Sequence, residues 1–190
     1  MKNIILGMAM SSLLFAACNN TTKTTDNGST ADTTKSTDTS LTKNSSVATT
    51  TVLSDYLKLK NALTEDDAAN AAEASKNFVA SINGIDKSAL PAQQAKVLAE
   101  ISEDIKEHAE HISSNAGNII HQREHFEILS EELYDLLKAG NPTGTKLYYT
   151  NCPMYNKGKG GNWISETKEI RNPYLGKSMP DCGSVKEELN

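Results

Sequence analysis

The sequence predicts an all-α domain: an up-down bundle of about four helices with a small irregular, partly β C-terminal segment packed on it. Three observations predict this. Apolar residues recur at helical spacing in four separate runs. Short polar or glycine-containing turns separate those runs, and beyond Thr145 glycine and proline are too frequent for long regular elements.

The first run, from about Thr50 to Leu63, places Val52, Leu53, Tyr56, Leu57, Leu59 and Leu63 on one helical face. Thr64-Glu65-Asp66-Asp67 has the pattern of a capping box. It opens a second helix through Ala71, Ala74, Phe78 and Ile82, which ends at Gly84. Pro91 starts a third helix with a stripe of Leu98, Ile101, Ile105, His108 and Ile112. Ser113 to Gly117 is the turn. A fourth helix from about Asn118 to Lys138 buries Phe126, Leu129, Leu133, Leu136 and Leu137, and Gly140, Asn141, Pro142 and Gly144 close it. Four apolar stripes joined by short connections bury one another in a bundle. In the tail, Leu147 to Thr150 reads as a short strand, and so small an element needs the bundle to pack against.

The front of the chain is organised differently. Residues 1–17 read as a lipoprotein signal peptide: a positive start, an apolar run from Ile4 to Phe15, then Ala16 and Ala17 before Cys18. The run is shorter than the roughly 20 residues that span a bilayer. Cys18 is the expected lipidation site, so membrane attachment is through a lipid anchor only. Residues 18–46 are rich in Thr and Ser with hardly an apolar side chain. They read as a disordered tether with a reach on the order of 30 Å. The helical domain with its Cys/Met-containing tail is 47–190.

A net charge of -5 and the lack of a long basic run argue against nucleic acid as a partner. No activated nucleophile, carboxylate pair in a recognisable context or cofactor fingerprint points to an enzyme. Two clusters can carry chemistry. His108 and His111 precede the helical turn while His121 and His125 follow it, and a rise of 1.5 Å per residue puts His108 and His121 both roughly 10 Å from the turn centre. His121 and His125 are i and i+4, the spacing that lets two imidazoles share a metal. The same positions also suit a hydrogen-bonded core histidine and two solvated ones. The second cluster is sulfur: Cys152 with Met154, and Met179 with Cys182. Thiolate and thioether together select Cu(I), and by the same softness Ag(I). A Cys152–Cys182 disulfide, with both methionines filling space, accounts for the same residues in an exported chain.

The runs His121-Gln122-Arg123-Glu124-His125-Phe126, Cys152-Pro153-Met154, Gly158-Lys159-Gly160, Trp163, Lys168-Glu169-Ile170-Arg171-Asn172-Pro173-Tyr174 and Met179 with Cys182-Gly183 resemble a family of unknown function common in Bacteroidetes. Its members occur as small exported proteins and as C-terminal domains of copper- and silver-exporting efflux adaptor proteins. The resemblance implies a soft-metal site, with Cys152, Met154, Met179 and Cys182 as primary ligands for copper(I) or silver(I), and His121 and His125 next. It further implies buffering or delivery of the ion to a heavy-metal efflux adaptor or pump. The competing expectation is a structural or partner-binding lipoprotein without a metal.

Surface-exported lipoproteins of this type carry acidic residues soon after the lipidated cysteine, whereas Asn19-Asn20-Thr21-Thr22-Lys23 follows here. The expected location is therefore the outer membrane, lipid-anchored on the periplasmic side. Protease added to intact cells is expected to spare the domain; rapid loss of it would contradict this placement.

Overall fold

The computed structural model describes residues 38–140 and 145–189, with side chains from Thr49 onward. The signal peptide 1–17, Cys18 and the first part of the tether lie outside the described residues, as do Asn141, Pro142 and Gly144. Four long helices are present: α1 (Asp38–Thr64), α2 (Ala68–Asn83), α3 (Ala92–Ser114) and α4 (Ile119–Ala139). Three strands follow, β1 (Leu147–Cys152), β2 (Gly161–Ser165) and β3 (Ser184–Leu189), in an antiparallel sheet of order β2-β1-β3. The expected helical bundle with a partly β tail is what the chain forms. No helix among the described residues is long and apolar enough to cross a membrane.

Helix α1 begins at Asp38, ahead of the Thr50 start expected from periodicity, so residues 38–46 of the stretch read as tether are helical. The packed part, Val52 to Leu63, supplies the nucleus, and each further residue then adds a hydrogen bond for one residue fixed. The α1–α2 corner also differs from the capping-box expectation. Thr64 ends α1 and donates its hydroxyl back to Asn61 O, while Asp67 caps α2 by accepting from Asn70 N–H at 2.9 Å. Asp66 between them adopts a left-handed φ of 57°, which turns the chain sharply.

Polar clamps fix the helices against one another. Buried Gln122 on α4 donates its amide to Ala68 O at 2.9 Å and Ile112 O at 3.1 Å, tying the start of α4 to the ends of α2 and α3. At the other end of the same helix pair, Gln94 on α3 donates to Leu136 O at 3.1 Å. Ser75 on α2 donates to Ala109 O on α3. With both ends of α3 and α4 held, their relative height is set.

The sheet packs on α1 and α4. Trp163 and Ile164 of β2 are fully buried in the same apolar core as Tyr56, Phe78 and Phe126. The Tyr56 hydroxyl accepts from Ile164 N–H at 3.0 Å and shares a hydrogen bond with Ser130 Oγ at 2.8 Å. Lys60, almost wholly buried, pairs with Glu166 at 2.5 Å. Arg123 donates to Pro173 O, Leu63 O and Asp66 Oδ1, joining α4, the α1–α2 corner and the long loop ahead of β3. Gly176 turns beneath this group at φ 53°, where a Cβ would lie 2.0 Å from Asp66 Oδ1.

Four buried side-chain atoms lack a hydrogen-bond partner among the described residues: Gln122 Oε1, Thr150 Oγ1, Trp163 Nε1 and, as the one ionisable group, Glu132 Oε2. Burial, with Asp104, Asp135 and Glu131 adding repulsion, pushes the Glu132 carboxyl up to about 7. A carboxyl raised on folding binds more protons in the folded chain than in the unfolded one. Its penalty is therefore absent below the unfolded value of about 4.5 and grows until the pH passes about 7. Thermal melting of Glu132→Gln against the wild type is expected to show no gain at pH 4 and a higher melting temperature at pH 8. Equal melting temperatures at pH 8 would contradict it.

Candidate metal centre

The α3–α4 turn is closed by Asn118, whose side chain caps α4 by accepting from His121 N–H, and by Asn115, whose amide donates to His111 O. These two local bonds fix the helix ends that carry the histidines. All four rings converge, but the pairing differs from the expected match of His108 with His121: His108 meets His125, and His111 lies beside both His121 and His125. His111 and His125 stack with ring centroids 4.4 Å apart and planes 4° from parallel. His121 stands edge-on to His125 at 83°, and His108 lies tilted beside it.

Ligand nitrogens of His111, His121 and His125 all lie within 4.8 Å of one another. Within this group, His121 Nε2 and His125 Nε2 are 3.2 Å apart. Two nitrogens each about 2.0–2.1 Å from one ion, at the tetrahedral angle, stand roughly 3.3 Å apart. The pair is therefore already at the spacing of two ligands of a single first-row ion.

Neighbouring groups hold the rings. Glu124 Oε2 lies 3.2 Å from His121 Nδ1, Glu107 Oε1 3.8 Å from His111 Nε2, and His108 Nδ1 2.9 Å from His125 Nδ1. Burial, then the charges of His111, His121 and His108, lowers His125 from its ordinary value. Burial also lowers His108, against the raising effect of Glu107 and Asp104. Both shifts favour the neutral imidazole, the form that can bind a metal. A cleft of about 220 Å³ opens alongside, lined by Ile120, Glu124, Glu127 and Tyr155 among others, so Glu124 faces both the cleft and His121.

The sulfur residues form a separate place. Cys152 ends β1 and is buried; Cys182 sits in the loop ahead of β3, its carbonyl accepting from the buried Asn172 amide at 2.7 Å. The two Sγ atoms are 2.8 Å apart, with no bond between them. Gly183 at φ 147° makes the approach possible, since a Cβ there would meet Asn151 O and the Trp163 ring at 2.9 Å. The contact with Cys152, then burial, raises the Cys182 thiol, which favours the protonated form over a metal-binding thiolate. Sulfurs sharing one ion at about 2.3 Å each would stand roughly 3.8 Å apart, so this pair would have to part by about 1 Å. Met154 and Met179 are 58% and 39% exposed. Neither cysteine belongs to the histidine group.

Of the residues expected from sequence, His121 and His125 are brought together, and so are Cys152 and Cys182. His111 and His108 were visible as members of the hairpin but not as candidate ligands. The signal that distinguishes them is three-dimensional: His111 lies one turn beyond His108, on the same side of α3, and faces His125 across the crossing.

No curated protein and no solved structure matches the chain. Over residues 52–145 it matches the model of a family described as "Protein of unknown function (DUF3347)", a span that contains all four histidines and stops ahead of β1 and both cysteines.

Proposed function

We propose that this chain is an exported, non-enzymatic metal-capturing module, which takes up copper-like ions and buffers them or passes them to efflux machinery. The observation that carries the reading is the convergence of His111, His121 and His125, with two Nε2 atoms already at the spacing of shared ligands. Imidazole suits copper, zinc, nickel and iron, and copper(II) leads the order of affinities for such sites. The matched family has no known function, so the efflux connection rests on the resemblance in sequence alone. Export rests on the signal-peptide reading.

Metal analysis and calorimetric titration of the purified chain test the reading. One equivalent of Cu(II) or Zn(II) is expected to bind. His121→Ala and His125→Ala should each weaken binding by at least about tenfold. Both rings are partly solvent-exposed, so melting temperatures should hardly move. Binding unchanged in both variants would overturn the imidazole centre.

A second reading is favoured for the sulfurs by their 2.8 Å contact. In an oxidising compartment Cys152 and Cys182 are poised to close a disulfide across the tail rather than to hold an ion. Cys182→Ser is then expected to cost about 2–4 kcal/mol of stability in the oxidised protein, with Met154→Leu and Met179→Leu close to neutral. A fall in Cu(I) affinity of the reduced protein in these three variants would instead return the sulfurs to the ligand set.

A further inference from the structure

Three contacts join the imidazole centre into one chain. Glu124 Oε2 meets His121 Nδ1 at 3.2 Å, His121 Nε2 meets His125 Nε2 at 3.2 Å, and His125 Nδ1 meets His108 Nδ1 at 2.9 Å. A neutral imidazole carries one ring proton, and each hydrogen bond in the chain holds one. Counting starts at Glu124, which as a carboxylate only accepts. His121 therefore donates Nδ1–H to Glu124, leaving its Nε2 bare. His125 donates Nε2–H to that bare nitrogen, and its own bare Nδ1 accepts Nδ1–H from His108.

An ion seated between the two Nε2 atoms cannot coexist with the proton on His125 Nε2. His121 needs no change, because its Nδ1–H and bare Nε2 already form a ligand held by a carboxylate. His125 has to exchange tautomers. We propose that His108 is the positioning residue for this exchange, passing its Nδ1 proton along the 2.9 Å contact to His125 Nδ1 and then accepting the reversed hydrogen bond. The proton displaced from His125 Nε2 passes through solvent to His108 Nε2. Two protons stand on the two rings before and after, so both rings are neutral again once the site is emptied for the ion. His108 touches no ion. It sets which nitrogen of His125 faces one, much as Glu124 does for His121.

This inference rests on the metal-capture reading, and the experiment separates the two. The probe is Zn(II), which is diamagnetic, added to the full chain labelled with nitrogen-15. Ring-nitrogen spectra are expected to show His125 moving from Nε2–H to Nδ1–H, and His108 from Nδ1–H to Nε2–H, with His121 keeping Nδ1–H throughout. His108→Ala should weaken Zn(II) binding on the order of 10- to 100-fold. His108→Gln, whose amide oxygen can accept from His125 Nδ1–H, should recover most of that loss. A merely structural role for His108 would not distinguish the Ala and Gln variants in affinity once both fold.

If wild type binds no Zn(II), the metal-capture reading and this one both fall. Binding by wild type with His125 still carrying Nε2–H, or equal affinity in His108→Ala, overturns only the role of His108. Should His108→Ala fail to fold, the His125 tautomer in the zinc-bound wild type decides alone.

Discussion

The Tyr56 hydroxyl is the joint on which the two halves of this fold depend. It lies fully buried, with its ring stacked on Phe126 at 5.3 Å, and serves Ser130 of α4 and the backbone N–H of Ile164 in β2 at once. A three-stranded sheet of this size has too little core of its own and is stable only against another apolar surface. Tyr56 supplies the surface and also satisfies a backbone donor that burial would otherwise leave orphaned. Burial raises the Tyr56 hydroxyl far from its ordinary value, so it stays protonated and able to donate. Around it, Lys60 with Glu166 and Arg123 with Pro173 repeat the arrangement: a long side chain leaves the bundle and ends on the tail.

The same logic of clamping builds the imidazole centre. Ridge packing alone lets two helices slide by a turn at modest cost. Gln122 and Gln94 remove that freedom, because a slip would strand a buried amide away from Ile112 O or Leu136 O. Gln122 is also the neighbour of His121 in sequence. The residue that locks the crossing and the residue that presents a ligand nitrogen therefore sit on adjacent positions of α4, one turned inward and one outward. Arg123, next along, anchors the tail. Three consecutive residues thus divide the tasks of register, site and docking.

The helices were legible because burial repeats every three to four residues along one face, and the stripes Leu98-Ile105-Ile112 and Phe126-Leu129-Leu133-Leu136 have no other use. That the histidines gather across the turn was legible for the same reason, but rise per residue counted from Asn115 matched His108 with His121, whereas the partner of His108 is His125. The tail was legible only in part. Leu147 to Thr150 shows as a strand, but β2 and β3 do not: Gly161–Ser165 is short, and Ser184–Leu189 carries the charged run Lys186-Glu187-Glu188 with little apolar content. Their pairing comes from contacts far apart in sequence, Tyr149 with Ile164 and Leu147 with Leu189, which no local period encodes. Lys60 carries the same lesson. It is buried on α1 beside Leu59 and Leu63, and only Glu166, distant in sequence, accounts for a lysine there.

The two clusters of potential ligands differ in what surrounds them, and that difference bears on their roles. The cysteines bring β1 against the loop ahead of β3, where there is no room even for a Cβ at Gly183 beside Asn151 O and Trp163 and where Asn172 holds the Cys182 carbonyl. Widening the sulfur gap by the 1 Å or so that a shared ion needs would drive this loop against a packed indole, and interiors at such density resist even small displacements. The imidazoles meet no such wall. They lie partly exposed on the outer side of a hairpin whose inner side is locked, with Glu124 already at the far nitrogen of His121 and His108 at that of His125. Rotation of a half-exposed ring disturbs little packing, whereas parting the buried Cys152 sulfur from the half-buried Cys182 disturbs the seat of the sheet. On mechanical grounds the sulfur pair is suited to hold the tail closed and the histidine centre to accept and release an ion without reshaping the fold.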